Sequence, residues 1–336
     1  MEEKRKLRKE NSINCSGKLY NEYLIPLLKE NDYVVKDRAL DGNAPKQFIK
    51  AYFYKEESGV KRINRKSWFS FIAKTAEKWY PHESVIEFMI NRIGQELGLR
   101  MNEIKLVRAN GQIRFLSKYF LDPKVERLIH GADICGEHLG DPKLAEEIAK
   151  DKNTSRDLFT FEFIRDAIRS VYADCCDDII NDLVRMIAFD AIVGNNDRHF
   201  YNWGIIDTKK KTKKKPKFAP LYDSARGLLW NESDKNLVNH YKNFTGSGKK
   251  IVNYVNRAYP RISIENDKQA NHFILLDYLK HQHKDFEQII YDLSSEENER
   301  KVLMMVKKEF YPFFTKERSE LVSLILQNRF KIVRGR

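Results

Sequence analysis

Long apolar runs are absent from this sequence of 336 residues. No stretch approaches the roughly 20 uninterrupted apolar residues of a membrane-spanning helix, so no membrane span is predicted. The first residues, MEEKRKLRKEN, are mostly charged, and no apolar core follows them. Because a secretory signal needs such a core, we expect the protein to stay in the cytoplasm.

Cysteine, glycine and proline are scarce, with 4, 15 and 9 residues. Few glycines and prolines argue against collagen-like and low-complexity chains. The hydrophobic share of 42% and the aromatic share of 12% indicate a globular protein that buries a sizeable core. Cys15, Cys135, Cys175 and Cys176 form no C-x-x-C pair and no metal-ligand spacing, so free thiols in a reducing compartment are predicted.

The excess of positive charge is partly local. The net charge is +13, and seven lysines fall within Lys209–Lys217. Such a block is typical of a solvated hairpin tip. The sequence also has no zinc-finger spacing, no RNP-type motif and no basic region with heptads, so direct nucleic-acid binding is not expected.

Residues 46–121 are predicted to form a small lobe in the order strand, strand, helix, strand, strand. Aromatic-rich runs at 46–55 and 67–74 indicate the first two strands. An apolar stripe between Pro81 and Gly98 predicts an amphipathic helix. Asn110-Gly111 between two strand-forming runs indicates a tight hairpin.

The flanking regions have different patterns. Residues 1–45 are predicted as an N-terminal extension, in which apolar residues at helical spacing over 17–32 favour a short helix kinked at Pro26. Residues 122–336 are mostly helical in pattern and include a short helix over 126–140. The expected fold class is therefore α+β with two lobes, the small mixed lobe followed by a mostly helical one.

Residues 183–224 contain a pattern typical of phosphoryl transfer. Asp197 is followed five residues later by Asn202, and Asp223 lies beyond a predicted hairpin. The Asp-to-Asn spacing is that of the protein-kinase catalytic loop, in which the Asp accepts the proton of the attacking hydroxyl and the Asn holds a metal ion. A later Asp holds Mg²⁺, which prefers carboxylate and amide oxygens, and Asp223 is the candidate.

Several segments together resemble HipA-like serine/threonine kinases, in particular a minimal subgroup with a two-lobed kinase-like fold. The D-R-H-x-x-N portion is also shared with the distantly related phosphoinositide kinases. The resemblance covers roughly residues 46–225. The segments that carry it are DRHFYN at 197–202, PLYDS at 220–224, the small-lobe pattern from Trp68 to Gly98, FLSKYF at 115–120 and ERLIHGAD at 126–133.

The resemblance implies roles for individual residues. Asp197 is implied as the catalytic base, with His199 supporting the catalytic loop, and Asn202 and Asp223 as ligands of Mg²⁺. On the nucleotide side, it implies that Lys74 binds the α- and β-phosphates of ATP and that a helix glutamate, Glu87, pairs with this lysine. Ser117 and Tyr119 fall in the segment that resembles the hinge strand and are implied in nucleotide binding.

Two assignments keep an alternative. Lys50, in Phe-Ile-Lys-Ala, has the same strand-lysine pattern as Lys74, and Glu83 lies one turn from Glu87 on the same helix face. A G-x-G-x-x-G loop is missing, and Ser58-Gly59-Val60 is only a faint counterpart of a phosphate-binding loop.

The expected activity is ATP- and Mg²⁺-dependent transfer of the γ-phosphoryl group to protein serine or threonine, with autophosphorylation. Ser58, Ser67 and Ser224 are candidate acceptors. The alternatives are a phosphoinositide or other small-molecule kinase, to which Lys209–Lys217 would lend attraction for anionic lipid, and a nucleotide-binding pseudokinase. The resemblance also leaves open an antitoxin partner, and a role as a toxin or as a secreted effector.

Overall fold

The computed structural model describes residues 6–38, 46–54, 60–210, 214–245 and 249–335. The elements alternate in the first half of the chain and become mostly helical in the second. In chain order they are β1 Asn14–Cys15, β2 Tyr33–Lys36, β3 Lys46–Ala51, β4 Phe69–Lys74, β5 Trp79–Tyr80, α1 His82–Glu96, β6 Ile104–Ala109, β7 Gln112–Lys118, β8 Glu126–His130, α2 Gly131–Leu139, α3 Pro142–Lys150, α4 Lys152–Leu158, α5 Phe161–Val171, α6 Cys176–Val193, β9 Gly204–Thr208, β10 Lys217–Phe218, α7 Asp234–Thr245, α8 Lys249–Asn256, α9 His272–Gln282, α10 Lys284–Leu293, α11 Glu296–Glu309 and α12 Lys316–Arg334.

The small lobe is a five-stranded antiparallel sheet in the order β2-β3-β4-β7-β6, with α1 packed against it. The predicted order of strand, strand, helix, strand, strand is confirmed, with the short β5 added before the helix. Asn110 and Gly111 have φ of 47° and 71°. A tight hairpin turn needs this left-handed backbone, which glycine and asparagine tolerate best.

The N-terminal segment is part of this lobe. β2 pairs along its length with β3, and β1 pairs in parallel with β5. The predicted helix over 17–32 is wrong, because the structure has only single 3₁₀ turns at Glu22–Leu24 and Glu30–Asp32. Pro26 lacks the N–H that a continuing helix would need. The carbonyl of Pro26 instead accepts a hydrogen bond from the backbone N–H of Arg108, next to the sheet edge.

The large lobe is built around α6. All of its residues from Met186 to Val193 are buried, and α5, α9, α10 and α12 pack around it. A three-stranded sheet, β10-β9-β8, lies against this helical core. The prediction of a helix over 126–140 is wrong for its first part, because β8 occupies Glu126–His130 and only Gly131–Leu139 is a helix. The two-lobed α+β architecture is confirmed. None of the described helices combines the length and the apolar character that crossing a bilayer requires.

The lobes meet beside the segment that leads to Asp223. The backbone N–H of Asn102 donates to the carbonyl of Leu221, and the N–H of Leu221 donates to the carbonyl of Arg100. These two hydrogen bonds hold the segment 219–224 of the large lobe against the start of β6. Asp223 is thereby placed beneath the end of β4 that carries Lys74.

Candidate active site

The loop that carries the predicted catalytic residues begins where α6 ends. Gly194 has a φ of 71° and lies so close to Arg329 that an added Cβ would approach the guanidinium carbon to 2.8 Å. Only glycine fits this left-handed position without strain and displacement. A rigid, buried helix therefore delivers Asn195–Asn202 to the cleft in a fixed direction, as the geometry of phosphoryl transfer requires.

A hydrogen bond between a side chain and the backbone joins Asn202 to Asp197 in this loop. The side-chain nitrogen of Asn202 donates to the carbonyl of Asp197 at 3.0 Å. This contact leaves the Oδ1 atom of Asn202 as the acceptor oxygen available to a cation. The N–H of His199 also donates to the carbonyl of Asp197, at 2.8 Å.

Two arginines contact the carboxylate of Asp197. The Nη2 atom of Arg261 lies 3.0 Å from Oδ1, and the Nε atom of Arg226 lies 3.1 Å from Oδ2. The sequence analysis missed both residues. Arg226 had a local signal, since it follows Asp223 by three positions, but Arg261 is 64 positions from Asp197 and had none.

Arg198 joins the loop to the segment of Asp223, and its role was also missed. Its side chain is 2% exposed and uses all five N–H groups. Two bonds go to the carboxylate of Asp190, at 2.8 and 2.9 Å. The others go to the carbonyls of Asn202 and Tyr222 and to the hydroxyl of Ser224, at 3.1, 2.6 and 2.6 Å. The sequence signal was Asp190, a single carboxylate in an otherwise apolar helix, which needs a buried cation.

Ser224 is buried and accepts the hydrogen bond from Arg198, so its hydroxyl supports the fold of this segment. Burial lowers the pKa of Arg198, but the charge and the hydrogen bonds of Asp190, together with the charges of Asp223 and Tyr222, raise it overall. The guanidinium therefore keeps its charge, and the catalytic loop and the Asp223 segment share one fixed centre.

Lys74, Glu87 and Asp223 come together at the lobe boundary. The Nζ atom of Lys74 lies 2.6 Å from Oδ1 of Asp223 and 3.5 Å from Oε1 of Glu87. Lys74 is the last residue of β4, and Glu87 lies on the second turn of α1. Along the chain, Lys74 is 13 positions from Glu87 and 149 positions from Asp223.

The two alternatives lie elsewhere. The carboxylate of Glu83 accepts hydrogen bonds from the backbone N–H groups of Lys78 and Trp79, both at 2.9 Å, and so closes the turn before α1. Lys50 donates to the carbonyl of Lys66 at 2.8 Å on an exposed face. In the described structure, neither residue contacts the Lys74 cluster.

Burial and neighbouring charges shift the pKa values of the three residues by different amounts. Burial alone lowers the pKa of Lys74, but the two carboxylates outweigh burial and raise it. Burial raises the pKa of Glu87 to about 7, against the effect of Lys74. Burial acts to raise the pKa of Asp223, but the charge and the hydrogen bond of Lys74, with smaller contributions from His199 and Lys46, together lower it. The short contact to Asp223 and the longer one to Glu87 agree with this order, so Asp223 holds the stronger ion pair.

His199 lies beside the catalytic loop as a neutral group. Its Nδ1 atom accepts a hydrogen bond from the backbone N–H of Tyr201 at 3.3 Å. Burial lowers its pKa, although Asp197 and Asp223 act in the opposite direction. A neutral imidazole whose Nδ1 is an acceptor fits a supporting role in the loop.

Ser117 and Tyr119 lie at the end of β7, the strand next to Lys74. The hydroxyl of Ser117 accepts from the side chain of Asn102 at 2.7 Å, and the hydroxyl of Tyr119 accepts from Arg38 at 3.0 Å. The guanidinium of Arg38 also lies 4.6 Å from the centre of the Tyr119 ring. Both hydroxyls are thus engaged within the protein, and the ring of Tyr119 already packs against a cation.

The segment Ser58-Gly59-Val60 is largely outside the described residues, since only Val60 is described. The described strands on either side are β3 and β4, in which Lys46 pairs with Lys74 and Ala51 pairs with Phe69.

The residues present fit Mg²⁺. The carboxylate of Asp223 is 39% exposed, and Asn202 has a free acceptor oxygen. Among the described residues no group of three or more His, Cys, Asp or Glu side chains forms a self-sufficient metal site. Two hard oxygen ligands suit Mg²⁺, because this ion takes few protein ligands and completes its shell with phosphates and water.

Comparisons with known proteins identify the family and the fold of the chain. The sequence profile of the HipA-like C-terminal domain matches residues 39–298. No curated protein sequence gives a significant match. The proinflammatory kinase CtkA of Helicobacter pylori is similar in structure, with a TM-score of 0.68 and 16% identity over 92% of this chain and 97% of that chain.

HipA of Shewanella oneidensis MR-1, solved with HipB and operator DNA, is similar with a TM-score of 0.51 and 13% identity. The match covers 89% of this chain and 65% of that chain. At these identities the two structures show a shared fold, and the kinase-like fold class predicted from the sequence is confirmed. The profile match over most of the sequence adds the family: the chain belongs to the HipA-like kinases.

Proposed function

We propose that the protein is an ATP- and Mg²⁺-dependent protein serine/threonine kinase that also phosphorylates itself. The observation that carries the proposal is the convergence of Lys74, Glu87 and Asp223 at the lobe boundary, beside the loop of Asp197 and Asn202. These five residues match the parts that kinases use for positioning and for charge stabilisation.

In this proposal Asp197 orients the acceptor hydroxyl and takes its proton. A bond then forms between the hydroxyl oxygen and the γ-phosphorus, while the bond from phosphorus to the β-phosphate oxygen breaks and ADP leaves. Lys74, positioned by Glu87, binds the α- and β-phosphates. Asn202 and Asp223 would hold Mg²⁺, which supplies neutralisation of the phosphate charge. Ser117 and Tyr119 would border the base of the nucleotide.

Arg198 positions these groups without touching the substrate. Its bonds to the carbonyls of Asn202 and Tyr222 fix the backbone of one proposed metal ligand and of the residue before the other. Asp190 supplies the opposing charge inside α6. Phosphoryl transfer depends mainly on positioning, so this buried centre should matter to rate as well as to stability.

The test is transfer of labelled phosphate from ATP by purified protein, followed by mass spectrometry of the modified residues. Asp197→Asn should abolish transfer to protein while the circular dichroism spectrum and the melting temperature remain close to wild type. Lys50→Ala is the matched control, because that lysine lies outside the cluster and should leave transfer unchanged. Activity of Asp197→Asn at the wild-type rate would contradict the assignment.

The same assay separates the other classes of function. Transfer to phosphoinositide vesicles, with none to protein, would identify a lipid kinase. ATP binding without transfer to any acceptor would identify a pseudokinase.

An antitoxin partner belongs to the proposal as well, since the Shewanella HipA structure contains HipB. Co-purification of the protein with the product of an adjacent gene, and rescue of growth by that product, would support it. Growth unaffected by expression of active kinase would argue for another role.

A further inference from the structure

Two arginines contact the carboxylate of Asp197. Arg226 and Arg261 each approach one of its oxygens, at 3.1 and 3.0 Å. Lys152 lies within the electrostatic range of this group: burial, then the charges of Arg261 and Arg156, lower its pKa, while Asp197 acts in the opposite direction. One carboxylate is thus shared by two guanidinium groups.

The two arginines are held in different ways. The backbone carbonyl of Arg226 accepts from the N–H of Asn196 at 3.2 Å, and its guanidinium lies 5.2 Å from the centre of the Trp230 ring. Its side chain is 35% exposed. Arg261 is only 17% exposed, and its Nε atom is buried without a hydrogen-bond partner among the described residues. A buried donor without a partner is costly and points to an acceptor that the described chain does not supply.

The cluster gathers around the carboxylate that is proposed to take the proton of the acceptor hydroxyl. Both arginines contact Asp197, whereas the cation that contacts Asp223 at 2.6 Å is Lys74. An acceptor hydroxyl that reaches Asp197 therefore also comes close to the two guanidinium groups.

Among the described residues, Asp197 is the carboxylate that forms ion pairs with both Arg226 and Arg261, so two guanidinium groups share one negative charge. Arginine in a partly buried site pairs preferentially with a planar or branched anion, through two parallel N–H groups. An acceptor peptide that brings its own carboxylate or phosphate would supply that anion while its hydroxyl takes a place on Asp197.

We propose that Arg226 and Arg261 form a recognition site for an acidic side chain next to the phosphorylated serine or threonine. The preferred substrate is then an acidic peptide segment, either with aspartate or glutamate or with a previously phosphorylated residue. This inference rests on the proposed kinase function and adds the substrate class to it.

The test uses a positional library of serine and threonine peptides with glutamate, phosphoserine, glutamine or lysine at each position within three residues of the acceptor. We expect kcat/KM for glutamate or phosphoserine at one or two positions to exceed that for glutamine by about tenfold, since hydrogen bonds between ionised groups are among the strong ones. Comparing glutamate with phosphoserine distinguishes the two sources of the anion.

Arg226→Gln and Arg261→Gln should each reduce the ratio of kcat/KM between acidic and neutral peptides toward one. Arg185→Gln is the matched control. Arg185 pairs with Asp182 on the surface of α6, and its substitution removes the same charge away from the site. The ratio is measured within each variant, so a general loss of rate does not mimic the effect, and melting temperatures identify variants that fail to fold.

Transfer to peptides or to the protein itself without a preference for acidic neighbours would overturn this inference and leave the kinase function standing. An acidic preference that persists unchanged in both glutamine variants would also overturn it. Absence of transfer to every acceptor would overturn the proposed function and this inference together.

Discussion

Substitutions at Arg198 are predicted to change the stability and the activity of the protein independently. Its guanidinium donates five hydrogen bonds at a site that is 2% exposed, and its charge is balanced by Asp190. Arg198→Met keeps much of the side-chain volume but removes the cation. The carboxylate of Asp190 is then left buried with one remaining side-chain donor, Asn195 at 3.0 Å.

Loss of one partner from a buried ion pair costs about 3–5 kcal/mol. Burial at this site is nearly complete, so solvent screening does not reduce that figure. For 336 residues the entropy of unfolding near the transition is about 0.7 kcal/mol/K. The melting temperature of Arg198→Met should therefore fall by roughly 4–7 °C.

The double variant Arg198→Met/Asp190→Leu removes both charges. Replacing a buried ion pair by apolar groups is often neutral for stability, so this variant should recover part of the lost melting temperature. Phosphotransfer should not recover, because the carbonyls of Asn202 and Tyr222 still lack their donor. We expect kcat to fall about a hundredfold in both variants.

Calorimetry and initial-rate kinetics on the same preparations give the two quantities. A single variant that melts within about 1 °C of wild type would refute the energetic reasoning. A double variant that regains stability and full kcat together would refute the positioning role of Arg198.

Three further predictions concern the nucleotide side of the cleft. Lys74→Ala should lower kcat/KM for ATP about a hundredfold, whereas Lys50→Ala should leave it unchanged, as initial rates over a range of ATP concentrations will test. In wild type, kcat/KM should rise with pH through about 7 as Glu87 ionises and pairs with Lys74, and a pH profile of Glu87→Gln should lack this step. The effect of pH on stability has the opposite sign. Because folding raises the pKa of Glu87, this residue contributes stability that is present below about pH 4.5 and is lost as the pH rises through about 7. Melting temperatures of wild type and Glu87→Gln, measured over a range of pH, will test this. Asn202→Ala should raise the Mg²⁺ concentration for half-maximal activity at least about tenfold, as a Mg²⁺ titration will show, and chelation should stop transfer by wild type.

Local sequence patterns predicted the elements whose determinants lie close together in the chain. The hairpin at Asn110-Gly111 needs only two residues that accept a positive φ, and α1 needs an apolar stripe with a proline before it and a glycine after it. The helix over 17–32 failed because the same apolar spacing also occurs in an irregular segment with two 3₁₀ turns, which buries only some of its apolar residues. There Leu19, Ile25 and Leu28 are buried, whereas Leu24 and Leu27 remain exposed.

The residues of the candidate site also differ in whether a local sequence pattern indicates them. Asp197, Asn202 and Asp223 could be picked out from motif spacing, and their roles stay predictions. Arg261 could not be found, because it contacts Asp197 from a segment 64 positions later that carries no motif. Contacts of this kind depend on how α4 and the approach to α9 pack, which no local pattern records.

The contact between Lys74 and Asp223 also constrains how a nucleotide would enter. Lys74 is charged because two carboxylates outweigh its burial, and the nearer of them is the proposed metal ligand. Binding of Mg²⁺ at Asp223 would weaken that ion pair by placing a second cation on the same carboxylate. The lysine would then depend on Glu87 and on the phosphates of ATP for its counter-charge. Nucleotide and metal should therefore bind cooperatively, with the shift of Lys74 between the two carboxylates as the physical link.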